Sequence, residues 1–172
     1  MPAQALLGLA MLLAVPLAGA ADTAPAPPAR EAAPPMLSQI VDETSAAYTM
    51  AEMQGGPVLV NFWATWCAPC IAELPALSRA ATALADDGVT VLLVSIDRGG
   101  AARALPFLET HGVSGVKLGF DPKAKLSRET GVRGLPTTLL LDSAQGSAWR
   151  FIGPFEWDDP AMLGVIRGLL AD

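Results

Sequence analysis

Cysteine is almost missing from this sequence: two residues in 172, Cys67 and Cys70. Both fall in one motif, which excludes a disulfide framework of the kind that staples small secreted domains. Histidine is scarcer still, with His111 alone and distant from the cysteines. A structural zinc site asks for four protein ligands, and this inventory falls short, so the sequence assigns no metal. No second, isolated cysteine exists for a peroxidase centred on another loop. The 11 basic residues form no block and the net charge is −6, so nucleic acid is not an expected partner. The 17 acidic residues are thinly spread, as on a solvated surface and not in an acidic tail. There is no internal repeat, and a hydrophobic content of 52% excludes general disorder.

What is present centres on Cys67-Ala68-Pro69-Cys70. The run Val58–Trp63 before it is nearly all apolar and reads as a strand buried on both faces. Ile71-Ala72-Glu73-Leu74 after it opens a helix. The thiols therefore stand where a strand hands over to a helix N-terminus, whose unpaired N–H groups and dipole favour negative charge. A thiolate is such a charge, and it is the nucleophile of sulfur exchange. A second thiol one turn on can resolve a mixed disulfide. A loop this short closes little chain entropy, so as a staple it is poor. The motif reads as a redox dithiol, with no cofactor beyond the Cys67–Cys70 disulfide itself.

Three segments follow from composition. Residues 1–20 carry the apolar core Leu6–Leu17 and the small-residue run Ala18-Gly19-Ala20, the pattern of a secretory signal. No Lys or Arg precedes that core, and an uncleaved membrane anchor is the alternative reading. Residues 21–35 are rich in Ala and Pro and read as an extended, mobile linker. Residues 36–172 form the folded domain, facing an oxidising, extracytoplasmic space.

Within the domain, a helix is expected near Thr44–Met53, ended by Gly55-Gly56. A strand follows at Pro57–Ala64, a helix over Ala68–Ala85 with Pro75 inside it, and a strand at Val89–Ile96. A helix then runs to His111, which reads as a surface or C-terminal capping residue. Leu118–Phe120 is a short strand, and Asp121-Pro122 starts a helix to about Thr130. Pro136–Asp142 and Ser147–Ile152 pair as antiparallel strands, and Asp159-Pro160 caps the last helix. The pattern is α/β: a mixed central sheet with helices on both faces and a small inserted β-α unit.

Three stretches carry a family resemblance: Val60-Asn61-Phe62-Trp63-Ala64-Thr65-Trp66-Cys67-Ala68-Pro69-Cys70, Glu73-Leu74-Pro75, and Gly131-Val132-Arg133-Gly134-Leu135-Pro136-Thr137-Thr138. With the ending Phe151–Trp157, the chain from about Met36 resembles the thioredoxin superfamily, and within it the TlpA, ResA and CcmG branch. The resemblance implies a thioredoxin-like fold and an extracytoplasmic, periplasmic thiol–disulfide oxidoreductase. It implies that Cys67 is the exposed attacking thiol and Cys70 the buried resolving one. It also implies a cis Leu135–Pro136 bond beside the thiols, with Leu135 offering its backbone to an extended substrate. Trp66 and Pro69 complete the expected substrate-binding set, whereas Trp63 reads as partly core. Many thioredoxins carry a buried Asp where Asn61 stands. ResA-like proteins carry a Glu at the position of Glu73, which is therefore assigned to proton handling at Cys70. An ordinary first-turn glutamate is the plain alternative.

The expected direction is reduction of partner-protein disulfides, with clients in haem- or copper-protein assembly. A membrane electron donor of the DsbD or CcdA kind would recharge the pair, and the N-terminus could tether it to the membrane. Ala68-Pro69 brings no charge or imidazole to hold a very low thiolate pKa, which speaks against a DsbA-like oxidant. A copper metallochaperone on the same fold would want a further soft or imidazole ligand near the thiols.

Overall fold

In the computed structural model of the protein, residues 25–53 and 55–171 are described. The signal or anchor expected over residues 1–20 lies outside them. Among the described residues no helix is long and apolar enough to cross a membrane.

One sheet of eight strands runs through the domain. In chain order they are β1 (Arg30–Ala32), β2 (Ile40–Val41), β3 (Ala47–Tyr48), β4 (Val58–Trp63), β5 (Thr90–Ser95), β6 (Lys117–Phe120), β7 (Thr137–Leu141) and β8 (Ser147–Ile152). Across the sheet the order is β1-β8-β7-β4-β5-β6-β2-β3. The β4/β5 and β5/β6 pairs are parallel and the others antiparallel, so the sheet is mixed. The helices are α1 (Ala68–Ala83), α2 (Ala101–Thr110), α3 (Lys125–Glu129) and α4 (Pro160–Ala171).

The apolar run of β4 has a simple cause. Successive side chains face opposite sides of a strand, and here both sides are covered. Leu59 and Trp63 pack towards α1, α2 and α4, in a cluster with Leu74, Leu77, Leu108 and Ile166. Val58, Val60 and Phe62 face the other way, in a cluster with Leu126 of α3 and Met50. Each such fully buried side chain contributes about 2 kcal/mol. Trp63, expected to be partly core, is fully buried. Asn61 sits among the inward residues on the α1 side, a polar exception in an apolar run.

Three local expectations change. The helix near Thr44–Met53 is instead the β2/β3 hairpin followed by a 3-10 turn at Met50–Glu52. The Asp42 carboxylate accepts from the Thr44 N–H, the Thr44 hydroxyl and the Ala46 N–H, and Ser45 has φ 70°, which a helix cannot continue through. The helix expected from Asp121 begins only at Lys125. Ala124 is left-handed at φ 50°, and the Asp121 carboxylate accepts from the Lys125 and Ser127 N–H groups one turn later than the sequence suggested. Finally, the sheet takes in Arg30–Ala32, which the sequence reading placed in the linker ahead of Met36. Those residues add an edge strand to β8, where Glu31 pairs with Arg150 and Arg30 lies over the Trp149 ring.

Candidate active site

The parallel strands β4 and β5 both end at the redox motif. Cys67 and Cys70 are joined as a disulfide with Cα atoms 5.3 Å apart. Cys67 is the N-cap of α1: its carbonyl accepts from the Ile71 N–H, and its sulfur accepts from the Cys70 N–H at 3.3 Å. Cys67 keeps 6% of its surface and Cys70 none, so an incoming sulfur meets Cys67 first. Around Cys67 an open groove is lined by Trp66, Pro69, Val132 and Leu135. Trp66 is 68% exposed, and the Leu135–Pro136 bond is cis. The structure thus gathers Trp66, Cys67, Pro69 and Leu135 on one face, with Pro136 buried at the start of β7.

Glu73 lies one turn beyond Cys70 on α1 and is turned into the protein, 3% exposed. Its Oε1 accepts from Asn61 Nδ2 at 2.7 Å. Its Oε2 accepts from Trp157 Nε1 at 2.9 Å and from the Phe155 N–H at 3.1 Å. Asn61 Nδ2 also reaches Thr138 Oγ1 across the β4/β7 pair, at 2.9 Å. Burial pushes the Glu73 carboxyl above its ordinary range; the hydrogen bonds from Trp157, Asn61 and Phe155 pull the other way without reversing it. Asn61 Oδ1 has no partner among the described residues. A neutral Glu73 could donate to it if the Asn61 amide turned over, so the pair can serve either protonation state. This is a buried acid that can hold a proton, and not a solvated first-turn glutamate.

Comparison with known proteins fits this geometry. The model of the AhpC/TSA family matches residues 29–146. The chain belongs to that family. Among its AhpC/TSA relatives, the thiol:disulfide interchange protein HelX of Rhodobacter capsulatus is 35% identical over 70% of this chain and 69% of its own length. A DsbE homolog of Paracoccus denitrificans, also a thiol:disulfide interchange protein, is 36% identical over 78% of this chain and 68% of its own. The crystal structure of a DsbE-type protein from Chlorobium tepidum superposes with a TM-score of 0.70 at 26% identity, covering 81% of this chain and 96% of the other. The fold is thioredoxin-like, as the resemblance implied, and the enzyme is a thiol–disulfide oxidoreductase acting on disulfides of partner proteins.

Other residues enter the site that sequence reasoning did not single out. Asp97, just past β5, is 3% exposed and accepts from the Thr65 N–H at 2.9 Å, the Thr65 hydroxyl at 2.8 Å and the Ser95 hydroxyl at 2.9 Å. It fastens the turn that presents Trp66 and Cys67. Arg103 Nε reaches the same Thr65 hydroxyl at 3.3 Å. The signal for Asp97 was an acid directly after the strand expected at Val89–Ile96, since the carboxyl ends of parallel strands are where α/β folds build sites. Trp157 and Thr138 gave no such signal; only the folded chain brings them to Glu73. His111 stays apart, exposed at the end of α2 and stacked on Phe107 with ring centroids 4.1 Å apart.

Proposed function

We propose that this enzyme is an extracytoplasmic reductant in which Cys67 is the nucleophile, Cys70 the resolving thiol and Glu73 their proton partner. The Cys67 thiolate attacks one sulfur of a partner disulfide; that S–S bond breaks and the partner's other sulfur leaves as a thiolate. Cys70, deprotonated, then attacks the Cys67 sulfur. The Cys67–Cys70 disulfide forms and the partner departs with two thiols, having gained two electrons and, from solvent or Glu73, two protons. Trp66 and Pro69 wall the approach, and Leu135 and Pro136 align an extended client segment by backbone pairing.

One observation carries the direction: the buried titratable group on α1 one turn beyond Cys70 is an acid, Glu73, and not a cation. A carboxylate beside a thiol disfavours the thiolate. Strong oxidants of this chemistry depend on an unusually stable thiolate in the reduced form. Arginines do stand near the groove, but they are exposed and screened by solvent. The apolar segment Leu6–Leu17 and the names of the relatives support placement in the periplasm, secreted or tethered. By resemblance, the clients are cysteine pairs of haem- or copper-protein assembly, and a membrane donor of the DsbD or CcdA kind returns the electrons.

Equilibration with dithiothreitol and glutathione buffers tests the direction. The Cys67/Cys70 couple should be more reducing than about −180 mV, and a value near about −120 mV would make the enzyme an oxidant. In the same preparation Cys70→Ser should accumulate a mixed disulfide with a client peptide, whereas Cys67→Ser should not. Equal trapping by both would remove the assignment of Cys67.

A further inference from the structure

The sequence scatters its cations, but the fold gathers them. The open groove on the far side of Trp66 has a volume of about 960 Å³, room for several peptide residues. Arg98, Arg103, Lys123 and Arg128 line it. Arg128 continues into the groove beside Cys67, where Arg133 joins it. These five are among only 11 basic residues in a chain of net charge −6. All five are exposed. The four ion pairs found among the described residues use Arg30, Arg79, Arg150 and Arg167 instead. The one acid lining either groove is Asp97, which is buried and already accepts hydrogen bonds from Thr65 and Ser95.

We propose that this face docks an acidic segment of the client protein, next to the client disulfide that Cys67 attacks. Charge complementarity identifies the occupant. An exposed cluster of one sign, set against a molecule of the opposite overall charge, is a local attractor for carboxylates and repels cationic chains. Trp66 stands between the two grooves and belongs to both. A peptide lying along them would place its acidic residues on Arg98, Lys123 and Arg128 while its cystine meets Cys67. The cations come from the start of α2 and from around α3; of them Arg103 also reaches the Thr65 hydroxyl, whereas Arg98, Lys123, Arg128 and Arg133 make no ion pair among the described residues. The inference rests on the redox reading above, since it describes the client of that same cysteine.

The test uses the full reduced protein and two synthetic cystine peptides that differ only in flanking residues, Asp in one and Lys in the other. At low salt and pH 7 the Asp peptide should be reduced at least about tenfold faster, the order that electrostatic steering supplies. The gap should close at high salt, as the screening length falls to a few ångströms. The variant Arg98→Glu/Lys123→Glu, changed only in the groove away from Cys67, should bring the rates for the two peptides within about twofold of each other. Its rate with neutral 2-hydroxyethyl disulfide should stay within about twofold of wild type, which shows that the fold and thiol survive the charge change. Equal rates for the two peptides at low salt overturn the proposal, whether the face then retains anionic phosphatidylglycerol vesicles or pairs two copies of the chain. Cysteine-free versions of the peptides separate the two readings. Binding of the cysteine-free Asp peptide, with no reduction of either cystine peptide or of 2-hydroxyethyl disulfide, would sink the redox reading and uphold the docking face; reduction of both cystine peptides without charge preference would do the reverse.

Discussion

Glu73 and Asp97 are two buried acids close in the fold to the redox motif, each 3% exposed, and their donors differ. Two of the three hydrogen bonds to Asp97 come from Thr65, in the turn that enters the motif. That carboxylate fixes backbone. The donors to Glu73 are a β4 amide, an indole and a backbone N–H beyond β8, none of them from the motif. They hold the acid in place without tying it to the motif. Equal burial therefore says little about what an acid does; the identity of its donors says more.

The comparison breaks most readily at Asp97. Removing the carboxylate in Asp97→Ala leaves the Thr65 N–H and two hydroxyls without their acceptor. A loss of about 3 kcal/mol is expected, read from the urea unfolding midpoint. Asp97→Asn retains an acceptor and should recover part of it. A loss below about 1 kcal/mol would show that Asp97 does not fasten the turn.

Glu73→Gln sharpens the other side. A carboxyl whose folded pKa lies above its ordinary 4.5 binds its proton more tightly in the native state. Its contribution to stability is whole below that ordinary value, declines as pH rises through the raised folded value, and stays reduced above it. The amide has no such step, and Asn61 Oδ1 can accept from it. The stability of the variant relative to wild type should therefore rise across that window. Its thiols should also alkylate at lower pH, with apparent values that belong to the cluster. Superimposable pH profiles for the two proteins would leave Glu73 a structural acid.

Ser95→Ala is the mildest change. It removes one of the hydroxyl donors to Asp97, and a cost of about 1 kcal/mol is expected by the same denaturation assay. Its effect should shrink but not vanish in an Asp97→Ala background, since the backbone N–H of residue 97 also donates to the Ser95 hydroxyl, at 3.2 Å.

Much of this was legible beforehand, for reasons that differ by residue. Val58–Trp63 announced a doubly covered strand because its neighbours on both faces are apolar. Cys67 to Glu73 announced the site because strand, cap and helix are contiguous in the chain. Ser45 hid a turn inside a helix-like stretch, because the Asp42 side chain overrides local propensity there. Ala124 did the same after Asp121. The partners of Glu73 could not be read at all. Trp157 is 84 positions away and meets it only once α4 closes over the sheet. The five cations illustrate the same limit: spread over residues 98–133 with acids, a histidine and other cations between them, they form no block in the sequence.

The edge strand Arg30–Ala32 bears on behaviour at high concentration. An open sheet edge invites a second chain to continue the ladder. Here the outermost strand is three residues long and carries alternating charge in Arg30 and Glu31. Pro27 and Pro28 precede it, and Pro34 and Pro35 follow. Prolines have no N–H to give a neighbour, so the ladder has nowhere to extend beyond those three residues. At this edge of the sheet a second chain finds little to pair with, which favours a protein of mean hydropathy +0.40 staying unpaired there.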